Sequence, residues 1–421
     1  MMINETVILL SPLEDCSKHR LSKHMGKNLG FVTGFDYYFY QPLQEIFSRV
    51  IPYDFETRLM EIGVRGLNEE IIALVRKEHP KYAIWVAWGD YYEIQESTLA
   101  TIRQEGTIVV GFFFDDEVNF DRYSKFWIPY LDYVVTCATP YTEIVSKYKA
   151  LGARVIPTML NTGIASNVDW SNIKEKYDVS FVGKINPERE HYINEIRKKN
   201  IGIQVFGSGW GGFIPYEEMI DIYKTSKINL NFSTIMGIKQ RKGRVFEVCL
   251  AGGFLLTEHF PGIENDFELD KEIVCFHDTE EMIDKITYYL SHETERRAIA
   301  QAGWKRASSE YTTFHILSRV FGEIEKDFSA RGARGHLQEI KKPRRVRQRI
   351  SSFYLRWAIA FSMENYKGLG REHIVLSLRH YPFNTLAWYH YIISFLPFPL
   401  RVAIIRLYRA LYHRINKQGK R

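Results

Sequence analysis

The chain has 421 residues, more than one hydrophobic core usually supports, so two main domains with an appendage are expected and a single small binding module is excluded. With 45% hydrophobic and 25% charged residues, the composition is that of a folded globular protein, and bulk disorder is excluded. The formal net charge of +6 averages two unlike parts: residues 331–421 hold 19 Lys or Arg against three acids (Glu339, Glu364, Glu372), a net of +16, which leaves −10 on residues 1–330. Such a split either aims the tail at a polyanion or docks it on the acidic body.

The opening MMINETVILLSPLEDC lacks the basic start and apolar core of a signal peptide, and no stretch reaches the roughly 18 apolar residues of a membrane span. A cytoplasmic protein, peripheral at the inner face of the membrane, is expected. TVILL reads as a first strand, NEEIIALVRKEH as a helix and YAIWVAW as a buried strand. The alternation continues through a helix over Ser97–Gln104, the strand GTIVVGFFFDD, the strand YVVTCA and the helix PYTEIVSKYKALG, stopped by Gly152. Continuously apolar strands alternating with helices mean a parallel sheet covered on both faces, so residues 1–160 are expected as one Rossmann-like domain, on the acceptor side.

The polar stretch Asn161–Lys176 reads as an interdomain linker. Beyond it the alternation restarts with DVSFVG, HYINEIRKKN, GIQVFG, PYEEMIDIYKTS, KINLNF and GRVFEVCLAGG. It then runs through FLLTE, EIVCFHD, EEMIDKITYYLS and a long charged helix around Glu293–Ala307. Residues 177–330 are therefore expected as a second doubly wound domain, with ligands at the carboxyl ends of its strands. Residues 331–421 form a basic helical region, read as a hairpin or repeat. In LRVAIIRLYRALYHRIN, Arg406, Arg409, His413 and Lys417 share one helical face, while Ile404, Leu407, Tyr408, Leu411 and Ile415 share the other. That pattern predicts an amphipathic helix lying on an anionic leaflet, aided by the Lys341–Arg349 cluster, or else packing on the helices before it.

In SFVGKINPERE, Gly183 ends a strand with Lys184 beside it and Arg189 five residues on. Two cations at one strand end suit a diphosphate that leaves with negative charge, although such residues are also commonly solvated. In IKQRKGRVFEVCLAGG, Arg241, Lys242 and Arg244 flank Gly243 where a helix begins, a place whose free N–H groups favour an anion. Glu247 follows one turn later on an apolar face and needs a partner: either Arg244, or the hydroxyls of a sugar or ribose. Gly207 and Gly209 in VFGSGWGG follow a strand and either let backbone approach a ligand or make a turn. Asp115 and Asp116 end the apolar strand of the first domain, where one serves as general base toward an acceptor hydroxyl or caps the turn. Asp90 is a lesser candidate of the same kind. Cys16, Cys137, Cys249 and Cys275 show no metal or disulfide spacing and are expected as reduced, mostly buried thiols.

Gly183, Lys184, Arg189, RVFEVCLAGGFLLTE, EIVCFHDTEEMIDKITYYL and ERRAIAQAGWKRA resemble the donor-binding domain of group-1 glycosyltransferases, most of all the CgeB-like branch, over Asp178–Lys326. FFFDDE and the unit ending at Gly152 carry a looser likeness in the first half. The resemblance implies a two-Rossmann (GT-B) fold, a nucleoside diphosphate sugar donor and no required cofactor or metal; the acceptor is expected to be a hydroxyl, and a tail directed at the membrane suits a lipid-linked glycan. By position, Lys184 and Arg189 resemble the diphosphate-binding basic pair, and Glu247 resembles the second Glu of an E-x7-E motif that contacts ribose. Lys239 stands where the first Glu would fall, a departure from the family pattern. Sugar transfer in cell-surface glycan or glycolipid synthesis is the leading expectation. Its rivals are a non-catalytic sugar-nucleotide-binding protein, a sugar-nucleotide epimerase and a nucleic-acid-binding protein. The last is disfavoured by the acidic body and by basic residues at amphipathic spacing rather than along a groove.

Overall fold

The computed structural model describes residues 3–13, 21, 24, 35–87, 89, 92–139, 142–212, 214–235 and 237–418, the last ten of these as backbone only. The first domain is a six-stranded, all-parallel sheet in the order β2-β1-β3-β4-β5-β6. Its strands are β1 (Ile3–Ser11), β2 (Phe47–Asp54), β3 (Tyr82–Ala87), β4 (Ile108–Phe113), β5 (Tyr133–Thr136) and β6 (Val155–Pro157). Every residue of β3 and β4 is buried, as continuous apolar strands require when helices cover both faces. A π-helical turn at Asp36–Tyr40 leads into α1 (Gln41–Ile46), and α2 (Phe55–Glu78), α3 (Glu96–Gln104), α4 (Asp116–Asn119) and α5 (Ile144–Ala150) complete the layer.

No regular element occupies residues 158–176. The second domain then builds a five-stranded parallel sheet in the order β13-β12-β9-β7-β8. Its elements are β7 (Tyr177–Val182), α6 (Pro187–Lys198), β8 (Ile203–Phe206), α7 (Tyr216–Thr225), β9 (Ser226–Asn231), a small hairpin of β10 (Thr234–Ile235) and β11 (Ile238–Lys239), α8 (Gly243–Ala251), β12 (Leu255–Glu258) and β13 (Val274–Phe276). Three helices follow: α9 (Thr279–Ser291), α10 (Glu293–Glu310) and α11 (Thr313–Arg331). The last returns to the first domain. Phe321 meets Phe47 and Tyr82 edge-on at 4.8 and 5.2 Å, and Asp327 accepts the hydroxyl of Tyr133 at 2.8 Å. Residues 313–330, expected with the second domain, thus strap the two domains together.

The helical region comprises α12 (Arg344–Met363), α13 (Lys367–His380), α14 (Thr385–Ile393) and α15 (Phe398–Gln418). Phe353, Trp357 and Phe361 of α12 are buried in the core on one face of the first sheet. Gly63 breaks α2 at φ 74°, ψ 176°, and a Cβ there would lie 2.8 Å from Leu369 of α13, so the kink and the missing side chain both admit the appendage. Ile405 of α15 is buried against Met363 and Ile393 with Ile404 packed beside it, so that of the apolar side expected to meet a membrane Ile404 is turned to internal packing while Leu407 and Tyr408 stay exposed. Leu411 and Ile415 lie beyond the residues whose side chains are described. Among the described residues, no helix is long and apolar enough to cross a membrane. Cys137, Cys249 and Cys275 are buried and unbonded; Cys16 and Asp90 lie outside the described residues.

Candidate functional site

The carboxyl ends of β7, β9 and β12 meet the start of α8, and here basic residues outnumber acceptors. Arg244 and Arg189 each place a guanidinium over the ring of Phe181, at 5.2 and 5.5 Å. Their remaining partners are neutral: Arg244 donates to Asn231 Oδ1 at 3.2 Å and Arg189 to the carbonyl of Lys184 at 2.8 Å. Neither arginine forms an ion pair among the described residues, and the Nε of each is buried without a partner. Burial, and then the charge of Arg244, push Arg189 down to about 10. Lys184 stands exposed beside them. Like charges held this close in a poorly solvated corner repel one another unless an anion joins them.

The glycines around this corner serve the loops. Gly207 (φ 107°) brings the turn after β8 against Gly183, so that a Cβ would sit 2.7 Å from the Gly183 carbonyl oxygen, and a Cβ on Gly209 would strike Ile185. Gly183 N–H donates to Phe206 and Ile185 N–H to Ser208, both at 2.9 Å, zipping the two loops together. Gly243 starts α8 with the linker residue Asn161 against it, where a Cβ would lie 2.5 Å from the Asn161 carbonyl oxygen. Of the other cations near that helix start, Arg241 is engaged internally, paired with Asp266 and resting over Phe246.

Glu247 is buried on α8, and burial raises its pKa. It makes no ion pair with Arg244; it accepts a short hydrogen bond from Tyr38 of the first domain. Tyr216 braces that contact, with Tyr38 edge-on at 5.4 Å and Tyr37 stacked at 4.3 Å. Lys239, at the position that departs from the family motif, lies 3.9 Å from the buried carboxylate of Glu258, which caps the hairpin through Ser233 N–H and Thr234 N–H at 2.9 Å.

Asp115 and Asp116 part company at the end of β4. Asp116 is fully buried and accepts hydroxyls from Ser124, Thr136 (2.6 Å) and Tyr148 (2.7 Å). Burial raises its pKa to about 6 against the opposing pull of those three hydrogen bonds. It joins α4, β5 and α5 inside the domain and offers no face to the cleft, contrary to the expectation of a base there. Asp115 points outward instead. Its side chain is 60% exposed, its backbone takes the left-handed φ of 51°, uncommon for a non-glycine residue, and its Oδ1 lies 3.3 Å from Lys242 Nζ of the second domain. Glu117 accepts from Gln240 at 3.1 Å, and Arg241 N–H donates to Thr139 at 3.1 Å, so the two domains touch along this edge.

Tyr38, Phe181, Asn231 and Glu117 were not marked by the sequence. Phe181 alone carried a signal, as the aromatic residue two before Gly183. Among the described residues, no group of three or more His, Cys, Asp or Glu gathers as a metal site. A cavity of about 870 Å³ lies elsewhere, beneath the segment at residues 333–339 and beside Arg103 and His380. Its carboxylates Glu96, Asp132 and Glu339 already hold Lys342, Arg103 and Tyr130, and it flanks the amino ends of β4 and β5 rather than the carboxyl ends, where such sheets bind ligands.

Residues 189–322 match a family model described as glycosyl transferase-like. No curated protein matches the chain. Among solved structures, HepE of Anabaena, in complex with UDP-glucose, is similar at a TM-score of 0.50 and 10% identity, over 77% of this chain and 100% of that one. Sucrose-phosphate synthase from Thermosynechococcus elongatus gives 0.48 at 10% identity, over 78% and 100%. TarM of S. aureus gives 0.43 at 10% identity over 61% of this chain, which spans 58% of the TarM chain. The chain therefore has a glycosyl transferase-like second domain within the two-domain GT-B fold that it shares with HepE.

Proposed function

We propose that the protein transfers a sugar from a nucleoside diphosphate sugar to a hydroxyl acceptor, in the assembly of a cell-surface glycan or glycolipid. The observation that carries this reading is the cation cluster of Arg189, Arg244 and Lys184, which has no carboxylate partner among the described residues and sits at strand ends beside a helix start. In the reaction the anomeric carbon–oxygen bond of the donor breaks and its electron pair leaves with the diphosphate. Arg189 and Arg244, preorganised on Phe181, stabilise that developing charge. Glu247 takes the ribose hydroxyls, exchanging the Tyr38 hydroxyl for them. Asp115 accepts the proton of the acceptor hydroxyl as its oxygen bonds to the anomeric carbon, and Lys242, whose pKa burial lowers, is its neighbour across the domain boundary. The acceptor in this reading is lipid-linked, and the chain works at the surface of an anionic membrane.

Calorimetry with a nucleoside diphosphate tests the cluster. Arg244→Ala should weaken binding by about 1.5–3 kcal/mol, roughly ten- to a hundredfold, as expected for a charged hydrogen-bonding group. Unchanged affinity in a folded Arg244→Ala protein would remove the cluster from the donor site.

A further inference from the structure

Large apolar side chains exposed to solvent are not scattered over this molecule. Nine of the twelve among the described residues fall between Val375 and Tyr408, in the region that also carries the positive charge. Trp388 and Ile392 are four residues apart on α14 and so share a face. They are 47% and 67% exposed, flanked by Phe383 at 79% and Phe395 at 57%. The surface is continuous: Trp388 Nε1 donates to the Pro382 carbonyl at 2.8 Å, next to Phe383, while Tyr391 lies edge-on to both Trp388 (5.9 Å) and Phe395 (5.4 Å).

Arginines rim this patch. Arg371 covers the ring of Phe395 at 4.1 Å, and Arg344 donates to the Tyr381 hydroxyl at 2.8 Å. A notch of about 350 Å³ opens between Arg344, Arg347, Tyr381, Pro382 and Phe383. Lys341, Arg344, Arg345 and Arg347 are exposed and form no ion pair among the described residues, so their charge is not consumed by docking on the acidic body.

We infer that α14 and the turns on either side of it form a face that docks on the headgroup layer of an anionic bilayer, with Phe383, Trp388, Ile392 and Phe395 entering the interface and the Arg344–Arg347 notch taking a lipid phosphate. Exposed aromatics rimmed by arginine are the composition of an interfacial anchor, apolar at the tip and cationic at headgroup depth. The net −10 of residues 1–330 turns the body away from the same surface, so that charge alone orients the molecule. The inference assigns the contact to α14 and its flanking turns, where Phe383, Trp388, Ile392 and Phe395 are exposed together; the exposed Phe398, Leu400, Leu407 and Tyr408 of α15 lie outside it. The inference names the surface on which the proposed transferase finds its acceptor, and it rests on the membrane part of that reading rather than on sugar transfer.

Co-sedimentation of the full chain with phosphatidylcholine vesicles, alone or mixed with phosphatidylglycerol, tests it. Binding is expected only to the mixed vesicles and should fall at high salt. Trp388→Glu with Ile392→Glu should reduce it about tenfold or more, as should Arg344→Glu with Arg347→Glu, whereas Leu407→Glu on α15 should change it less than about twofold. An unchanged thermal midpoint verifies that the variants fold; should the first pair not fold, the arginine pair carries the test. Absence of wild-type binding to mixed vesicles overturns the inference. So does full binding by both pairs, or a wild-type dimer that the Trp388 and Ile392 substitutions convert to monomer without any vesicle binding. Nucleoside diphosphate affinity, measured alongside, separates the two readings: vesicle binding without nucleotide binding ends the transferase reading and leaves the face standing, and the reverse result does the opposite.

Discussion

The strand-end loops of the two domains handle charge in opposite ways. After β4, each carboxylate has a partner: Asp116 holds three hydroxyls, Glu117 holds Thr139 and Gln240, and Asp115 holds Lys242 across the boundary. After β7 and at the start of α8, Arg189 and Arg244 rest on an aromatic ring with neutral acceptors only. Buried polar groups in a folded protein are normally satisfied. The corner that leaves Arg189 and Arg244 without a carboxylate among the described residues is the one proposed above for an external anion, while a carboxylate satisfied by three hydroxyls, such as Asp116, belongs to the architecture.

The sharpest test of that contrast separates the neighbours Asp115 and Asp116. Asp115→Asn should lower kcat about a hundredfold to ten-thousandfold, as loss of a general base does, with donor affinity and stability little changed. Steady-state kinetics of a donor and acceptor pair decides it, and near-normal turnover would place the base elsewhere. Asp116→Ala should instead destabilise the fold by about 2–4 kcal/mol in chemical denaturation, because three buried hydroxyls lose their acceptor.

Asp116 also makes a pH prediction. Its folded value of about 6 lies above the ordinary 3.8, so the folded state favours the protonated carboxyl. The contribution is fully present below pH 3.8 and is lost as pH rises through about 6, a change on the order of 2–3 kcal/mol. Asp116→Asn should flatten that part of the stability–pH curve.

The smallest expected effect bears on Tyr38, which ties the two domains through Glu247. Tyr38→Phe should tighten nucleoside diphosphate sugar binding by about two- to tenfold, the worth of one net hydrogen bond that the ligand no longer has to displace. Calorimetry reads the change, and weaker binding would mean that the Tyr38 hydroxyl supports the site rather than occupying it.

Much of the architecture was legible along the chain. TVILL, YAIWVAW and GTIVVGFFF are apolar without interruption, as two-sided burial demands, and each became a parallel strand. The edge strand β2 escaped notice: it is half-exposed, carries Pro52 and follows a helical turn, so it lacks that signature. Helix α11 was hidden for another reason, since its apolar face answers to Phe47 and Tyr82, more than 200 residues earlier in the sequence.

The alternation of strands and helices and the basic character of residues 331–421 follow from local pattern and composition, because burial period and charge are written residue by residue. Which of two adjacent aspartates faces the cleft is not local information. The left-handed turn at Asp115 sends one side chain outward and the next into the domain. Glu247 meeting Tyr38 rather than Arg244, and the joint exposure of Phe383, Trp388, Ile392 and Phe395 around α14, were likewise decided by packing between segments distant in sequence. A side chain's role depends on which polar and apolar groups the fold leaves without partners, and that balance exists only once the chain has closed on itself.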